Sequence, residues 1–117
     1  MSCLELPAGM IDSVADGILG TAAKEIMEEE CDIKVRASEL IDLTELAYGT
    51  THRGIAPSAG GCDEHIRYLY LERHVSSKQI SEMKGKLSGL REHGEFITLR
   101  VVCFDELWRC GDSKALW

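Results

Sequence analysis

The sequence predicts an α+β fold, in which helices and strands mix within one domain of 117 residues. Apolar residues recur every four positions at Ile18, Ala22 and Ile26, which is the spacing of one face of a helix. Residues 64–74 instead alternate large apolar with polar or smaller side chains, and residues 95–104 are rich in Ile, Leu and Val, so both predict strands. A chain of this length is expected to form a single domain with one core.

The remaining elements follow from the same patterns and from the turn residues between them. Ser76 or Ser77 is the expected N-cap of a helix that runs to residue 86. The predicted helices are 18–30, 76–86, 105–110 and 113–117. The predicted strands are 3–6, 33–35, 39–47, 64–74 and 95–104. The predicted loops are 10–17, 48–63 and 87–94.

Composition narrows the class of protein. An apolar content of 44% with 28% charged residues is that of a globular chain, and the net charge of −7 argues against a general nucleic-acid binder. The five cysteines are odd in number and form no CxxC pair, which favours reduced thiols of an intracellular protein over disulfides or a zinc site. No apolar run approaches the ~18 residues of a membrane span, and no signal-peptide pattern opens the chain.

The stretch AAKEIMEEECDI, residues 22–33, concentrates like charges on a predicted helix. Glu25 lies three residues before Glu28 and four before Glu29, so the three carboxylates share one face. Such pairs cost a few tenths of a kcal/mol, and acids late in a helix oppose its dipole by roughly 0.3–1 kcal/mol each. Either solvent screens this acidic face or it binds something positive, and Mg²⁺ prefers such carboxylate oxygens.

The acidic stretch belongs to a longer motif. Gly9, Asp16 and the run Lys24–Glu29 resemble the Nudix box, G-x5-E-x7-R-E-U-x-E-E-x-G-U, where U is a bulky aliphatic residue. Further stretches resemble the ADP-sugar diphosphatase branch of this family, found in plant chloroplasts: LPAGMID, GTAAKE, IDLTEL, PSAGGCDE, GLREHGEF and ELW. The resemblance implies an α/β/α sandwich with a mixed sheet. It also indicates that the N-terminal strands and the end of the C-terminal helix of that fold are missing.

The resemblance implies a metal site and a catalytic loop. Its metal ligands would be the Ala8 carbonyl and the carboxylates of Glu25, Glu28, Glu29 and Glu95. Lys24 stands where the family usually has Arg, which removes a bidentate guanidinium. In the loop Arg91–Glu95, Glu92 is the expected general base, although which of Glu92 and Glu95 is base and which is ligand stays open. The expected cofactor is Mg²⁺, with Mn²⁺ as the alternative.

The same resemblance implies a substrate. We expect Mg-dependent hydrolysis of an ADP-sugar such as ADP-glucose to AMP and a sugar 1-phosphate, with no nucleic-acid or membrane partner. The expected substrate-binding residues are Arg53, Pro57, Gly60, Gly61 and Arg91. Hydrolysis of ADP-ribose or a UDP-sugar is the second hypothesis, and an inactive core that binds metal, nucleotide or a partner is the third. Family members are homodimers through a segment absent here, and the family indicates a plastid or otherwise a cytoplasmic location.

Two departures from the box have structural consequences. The distance from Gly9 to Lys24 is one residue longer than in the general box. Cys31 replaces the closing Gly, and Asp32 replaces the aliphatic residue that follows it. The closing Gly ends the helix in a left-handed conformation, so a side chain at Cys31 is expected to cost roughly 1–2 kcal/mol.

Overall fold

The computed structural model describes residues 4–11, 17–24, 27 and 31–116. Helices and small antiparallel sheets are mixed, which agrees with the predicted α+β class. The α-helices are α1 (Gly17–Thr21), α2 (Leu43–Tyr48) and α3 (Ser77–Met83). Shorter 3₁₀ turns are Ala37–Glu39, Arg91–His93, Phe104–Arg109 and Ser113–Leu116. The strands are β1 (Ile41–Asp42), β2 (Leu69–Tyr70), β3 (Leu87–Ser88) and β4 (Ile97–Thr98).

The core forms around the first helix. Beyond α1 the chain continues through residues 22–24 with the wider hydrogen bonding of a π-helix. Ala22 and Ala23 are buried there and cluster with Leu40. The half-buried side chains that pack on this cluster are Leu19, Val35, Leu69 and Leu71. The predicted apolar face is therefore confirmed at Ala22, whereas Ile26 lies outside the described residues.

The predicted strand at 39–47 is wrong. Only Ile41–Asp42 is extended, where β1 pairs antiparallel with β2 (Ile41 opposite Tyr70), and the chain then turns into α2. The Asp42 carboxylate accepts a hydrogen bond from the Glu45 N–H at 2.8 Å, which caps α2. The residues of α2 would suit a strand as well as a helix, and this cap favours the helix. Residues 33–35 likewise form no strand.

The predicted strand at 64–74 is paired at only a few positions. It bridges Ile55 through Ile66 and forms β2 at Leu69–Tyr70. Between these positions its partner is the first turn of α2: the Tyr68 N–H donates to Thr44 Oγ1 at 2.9 Å, and the Tyr68 carbonyl accepts from the Leu43 N–H. A side-chain hydroxyl therefore replaces a neighbouring strand, which interrupts the ladder.

The second half of the chain agrees better with the predictions. Helix α3 begins after Ser76, which is the N-cap, one of the two serines predicted for this role. Ser76 and Gln79 also cap each other reciprocally, which the sequence analysis did not predict. An antiparallel hairpin follows, with Leu87 opposite Thr98. The predicted loop at 87–94 therefore begins as β3, and only 97–98 of the predicted strand 95–104 form β4. The two predicted C-terminal helices are present as 3₁₀ turns.

Two expectations drawn from composition also have structural outcomes. The cysteines among the described residues lie at positions 31, 62, 103 and 110, and no disulfide joins them. Within the described ranges, the model contains no helix of the length and apolarity needed to cross a membrane.

Candidate functional site

A cavity of about 570 Å³ lies beside α1. Its walls come from the loop 6–11, from one face of α1 with the turn that follows, and from the segment 64–71. The cavity is therefore lined by the start of the Nudix-like motif, including Ala8 and Gly9, and by the chain that directly follows PSAGGCDE. Its volume is in the range of pockets that bind small organic ligands.

The loop 6–11 is held by a buried carboxylate from the far end of the chain. The Leu6 N–H donates to Asp112 Oδ2 at 3.0 Å, while Lys114 Nζ lies 3.0 Å from Asp112 Oδ1. Burial by itself raises the pKa of Asp112, but the N–H donors of Leu6 and Lys114 and the Lys114 ammonium outweigh it, so that this pKa lies below its ordinary value. The hydrogen bond to Asp112 raises the pKa of Lys114. Both groups are therefore charged at neutral pH.

Arg67 is a buried cation on the cavity wall that the sequence analysis did not single out. Its Nε and Nη2 lie 2.9 Å and 2.5 Å from Asp42 Oδ2, and both side chains are only 10% exposed. Arg67 Nη1 also donates to the His52 carbonyl at 3.2 Å. The partner Asp42 is 25 residues away in sequence, so local pattern offers no signal for this pair.

The predicted catalytic loop lies at the tip of the second hairpin. Glu95 closes it locally, because its Oε2 accepts from the Leu90 N–H at 3.0 Å and its own N–H donates to the Leu90 carbonyl. Glu92 is exposed and lines a smaller cavity of about 300 Å³ with Gly89, Leu90 and His93. Within the described part of the chain, neither acid lines the larger cavity.

The expected substrate-binding residues are not brought together on the larger cavity. Arg53 is exposed, and Pro57 is half-buried. Gly60 and Gly61 are exposed in a turn that closes through the Gly61 N–H and the Ser58 carbonyl at 2.9 Å. Arg91 begins the 3₁₀ turn of the hairpin loop, and its side chain is outside the description. Among the described residues, Arg67 and Lys114 instead supply the cations of the cavity wall.

The predicted metal ligands of the helix lie outside the described residues; they are Glu25, Glu28 and Glu29. The described residues also exclude Asp16 and Glu30, which are not predicted ligands. Lys24 is described and exposed. No group of three or more His, Cys, Asp or Glu side chains that would hold a metal occurs in the ranges that the model describes. The ligand set therefore stays a prediction.

The end of the acidic segment differs from the expectation for Cys31. Cys31 is buried, and the left-handed conformation falls on Asp32, whose φ is +51°. The Ile33 N–H then donates back to the Met27 carbonyl at 2.6 Å, six residues earlier in the chain. Aspartate tolerates this conformation better than other side chains because it is short and polar, so the strain expected at Cys31 is absent. Counted back from Asp32, the adjacent acids of the box pattern are Glu29 and Glu30 rather than Glu28 and Glu29.

The comparison with known proteins indicates the family. No family model matches the chain, and no solved structure gives a match. Over 114 residues the chain is 44% identical to "Nudix hydrolase 14, chloroplastic" of Arabidopsis thaliana. This similarity supports a member of the Nudix hydrolase family. The match covers 97% of this chain and 37% of that relative, so the chain spans little more than a third of its length.

The similarity to a Nudix hydrolase bears on the described cavity. The loop through Ala8–Gly9, where the Nudix-like motif begins, and Ile18, Thr21, Ala22 and Met27 of the helical segment that follows line one cavity. The 3₁₀ turn Arg91–His93 and Glu95 lie within the family-like stretch GLREHGEF.

Proposed function

We propose that this chain carries the catalytic core of a Mg²⁺-dependent hydrolase that cleaves the pyrophosphate bond of a nucleoside-diphosphate sugar. ADP-glucose is the representative substrate, giving AMP and glucose 1-phosphate. The observation that carries the proposal is the joint placement of Ala8, Gly9 and α1 on one ligand-sized cavity. The start of the Nudix-like motif and its helical segment thus border a space of the size that a small organic ligand needs.

The donor chemistry fits a divalent cation. Glu25, Glu28 and Glu29, with Glu95 and the Ala8 carbonyl, would supply hard oxygen ligands, the type that Mg²⁺ prefers over nitrogen or sulfur. Mn²⁺ accepts the same ligands. A cation bound there neutralises charge on the pyrophosphate oxygens. Lys24 is exposed on the same helix and keeps the positive charge of the family arginine without its bidentate geometry.

The contacts within the hairpin loop support different roles for Glu92 and Glu95. One carboxylate oxygen of Glu95 is occupied by the Leu90 N–H, which fixes this side chain and suits a ligand that must be held in place. Glu92 is exposed in the same loop, where it can accept a proton from an attacking water and release it to solvent. We therefore assign Glu92 as base and Glu95 as ligand.

The proposal also includes the substrate contacts, the location of the protein and its assembly. Arg53 and Arg91 would contact phosphate, and the turn with Pro57, Gly60 and Gly61 would approach the sugar phosphate through its backbone. ADP-ribose and UDP-glucose are the competing substrates. The relative carries the word chloroplastic in its name, which favours a plastid location for this chain too. A homodimer is the assembly expected of the family.

The test is hydrolysis of ADP-glucose in millimolar Mg²⁺, with AMP and glucose 1-phosphate measured as products. We expect the parent chain to hydrolyse ADP-glucose and Glu29→Gln to lose at least about a hundredfold in kcat, because Glu29 belongs to the ligand set in either count of the box. Glu28→Gln and Glu30→Gln then decide the register: the larger loss identifies which of them joins Glu29. Glu82→Gln, at an exposed position of α3, is the matched control and keeps full activity.

The outcomes separate the hypotheses. Faster turnover of ADP-ribose or UDP-glucose than of ADP-glucose would move the assignment to that substrate. A folded parent chain that hydrolyses none of the three but binds Mn²⁺ in a Glu29-dependent manner would be the metal-binding core without turnover. A parent that neither hydrolyses nor binds metal contradicts the proposal.

A further inference from the structure

One ion pair joins the acidic segment to the hairpin that carries Glu92 and Glu95. Lys86 Nζ contacts Asp32 Oδ2, across 54 residues of sequence. Asp32 is the left-handed residue that follows the acidic stretch, and Lys86 directly precedes β3. Among ion pairs between described residues, it is the one that connects the hairpin to another part of the chain.

The backbone of Lys86 is fixed at the base of the hairpin. The Lys86 carbonyl accepts from the Leu99 N–H at 2.8 Å, and the neighbouring Gly85 N–H donates to the Leu99 carbonyl at 2.9 Å. Lys86 N–H also donates to the Met83 carbonyl of α3 at 3.2 Å. A side chain anchored at this point acts on the whole hairpin, because β3 and β4 connect it rigidly to the loop 89–96.

The loop itself is closed by its own contacts. Leu90 and Glu95 exchange hydrogen bonds across it, at 3.0 Å and 3.2 Å. Gly89, with φ of +87°, brings the loop so close to the Glu95 carbonyl that an added Cβ would lie 3.1 Å from this oxygen. The loop therefore moves as a unit, and its place relative to the acidic segment depends on what holds the hairpin base.

We propose that Asp32 and Lys86 are positioning residues for the hydrolysis. Their ion pair holds the hairpin that carries Glu92 and Glu95 at Asp32, where the acidic stretch of the sequence ends. This inference rests on the proposed function. It also gives Asp32 two roles at one position, since the residue that supplies the left-handed turn also supplies the anion for Lys86.

The strength of the pair is compatible with positioning. The two side chains are 60% and 42% exposed, and exposed pairs contribute at most about 1 kcal/mol to stability. Loss of the pair therefore leaves the fold intact. A displacement of about 1 Å at a catalytic group is nevertheless enough to lower a rate strongly.

The experiment compares Asp32→Asn, Lys86→Met and the double variant that carries both changes. Asn tolerates the left-handed conformation of position 32 as Asp does. Each single variant is expected to lower kcat for ADP-glucose by about threefold to tenfold, with KM changed less than twofold, and the double variant is expected to lose no more than the worse single variant. Arg73→Met breaks another partly exposed pair, Arg73–Glu39 at 2.7 Å, and is expected to keep the parent kcat. Single variants that match the parent, an equal loss in Arg73→Met, or losses that multiply in the double variant would overturn the proposal.

A second readout separates this inference from the proposed function. Amide hydrogen exchange at Leu90 and Glu95 reports the loop whether or not the chain turns over a substrate. If the parent chain is inactive, faster exchange in both single variants, with no further increase in the double variant, still supports a positioning contact. If exchange in the loop is the same in all four proteins, the contact does not control the loop and the inference fails.

Discussion

The pair Arg67–Asp42 and the pair Lys86–Asp32 join the same kinds of group in opposite surroundings. The former lies on the cavity wall with both side chains only 10% exposed, and Asp42 also caps α2. The latter is half in solvent and carries no further hydrogen bond to the backbone among the described contacts. A buried pair must stay paired, because water cannot replace the lost partner, whereas an exposed pair can break and re-form.

The difference divides the molecule into a fixed side and an adjustable side. The fixed side surrounds the cavity, where Asp42 joins distant Arg67 to the start of α2 and Asp112 joins distant Leu6 to nearby Lys114. The adjustable side is the hairpin, which has its own short ladder and one exposed ion pair. The cavity is thus expected to keep its shape, while the position of the hairpin depends on a weak contact.

The largest expected effect is on the fixed side. Asp42→Ala removes the partner of buried Arg67 and the cap of α2, and is expected to lower the free energy of unfolding by about 3–5 kcal/mol. Urea denaturation followed by circular dichroism measures it. Glu45→Ala is the control, because Glu45 is 49% exposed and lies 3.6 Å from Arg67, so its loss is expected to stay below about 1 kcal/mol. Similar losses in the two variants would contradict the contrast between buried and exposed contacts.

A smaller effect is expected where α2 meets the segment 64–71. Thr44 is 2% exposed, and its hydroxyl accepts from the Tyr68 N–H at 2.9 Å. Thr44→Val keeps the shape but leaves that N–H without its acceptor, which is expected to cost about 1–3 kcal/mol. Faster amide exchange at Tyr68 would accompany this loss. Unchanged exchange at Tyr68 would show that the hydroxyl does not hold this segment.

The smallest effect is on an exposed acid. Arg36 and Arg73 hydrogen-bond the Glu39 carboxylate, led by the Arg36 backbone N–H, and lower its pKa from 4.5 to about 2. Because the folded pKa is depressed, Glu39 stabilises the fold above pH 4.5 and loses that contribution as the pH falls towards 2. Glu39→Gln is therefore expected to flatten the dependence of the unfolding midpoint on pH in this window. Glu82→Gln, the exposed control in α3, is expected to leave it unchanged.

The sequence predictions were more accurate where the residues that decide the structure lie close together in sequence. Helix α3 was predictable because its cap, Ser76 with Gln79, lies within four residues. The strand predicted at 39–47 failed because the side chain of Asp42 selected a helix after a run of residues that also suits a strand. The interrupted pairing of residues 64–74 could not be predicted. It depends on the hydroxyl of Thr44, which lies in helix α2, and this segment was predicted to be a strand.

The candidate site divides in the same way. Ala8, Lys24, Glu92 and Glu95 came from motifs that are contiguous in sequence. Arg67 and Lys114 line the cavity because of contacts made only in the folded chain, with Asp42 and Asp112, and the sequence held no sign of them. Motifs therefore indicated the chemistry, while the shape of the cavity required the tertiary structure.

The hydrogen bond from the Leu6 N–H to Asp112 has a consequence for the order of folding. It joins residues 106 apart, so it closes a loop that contains almost every other element described. Closing so long a loop costs more entropy than forming the local turns and hairpins inside it. We therefore expect α3 and the hairpin to form early and the loop 6–11 to dock last. The cavity, and with it any affinity for substrate, would then appear only in the final step of folding.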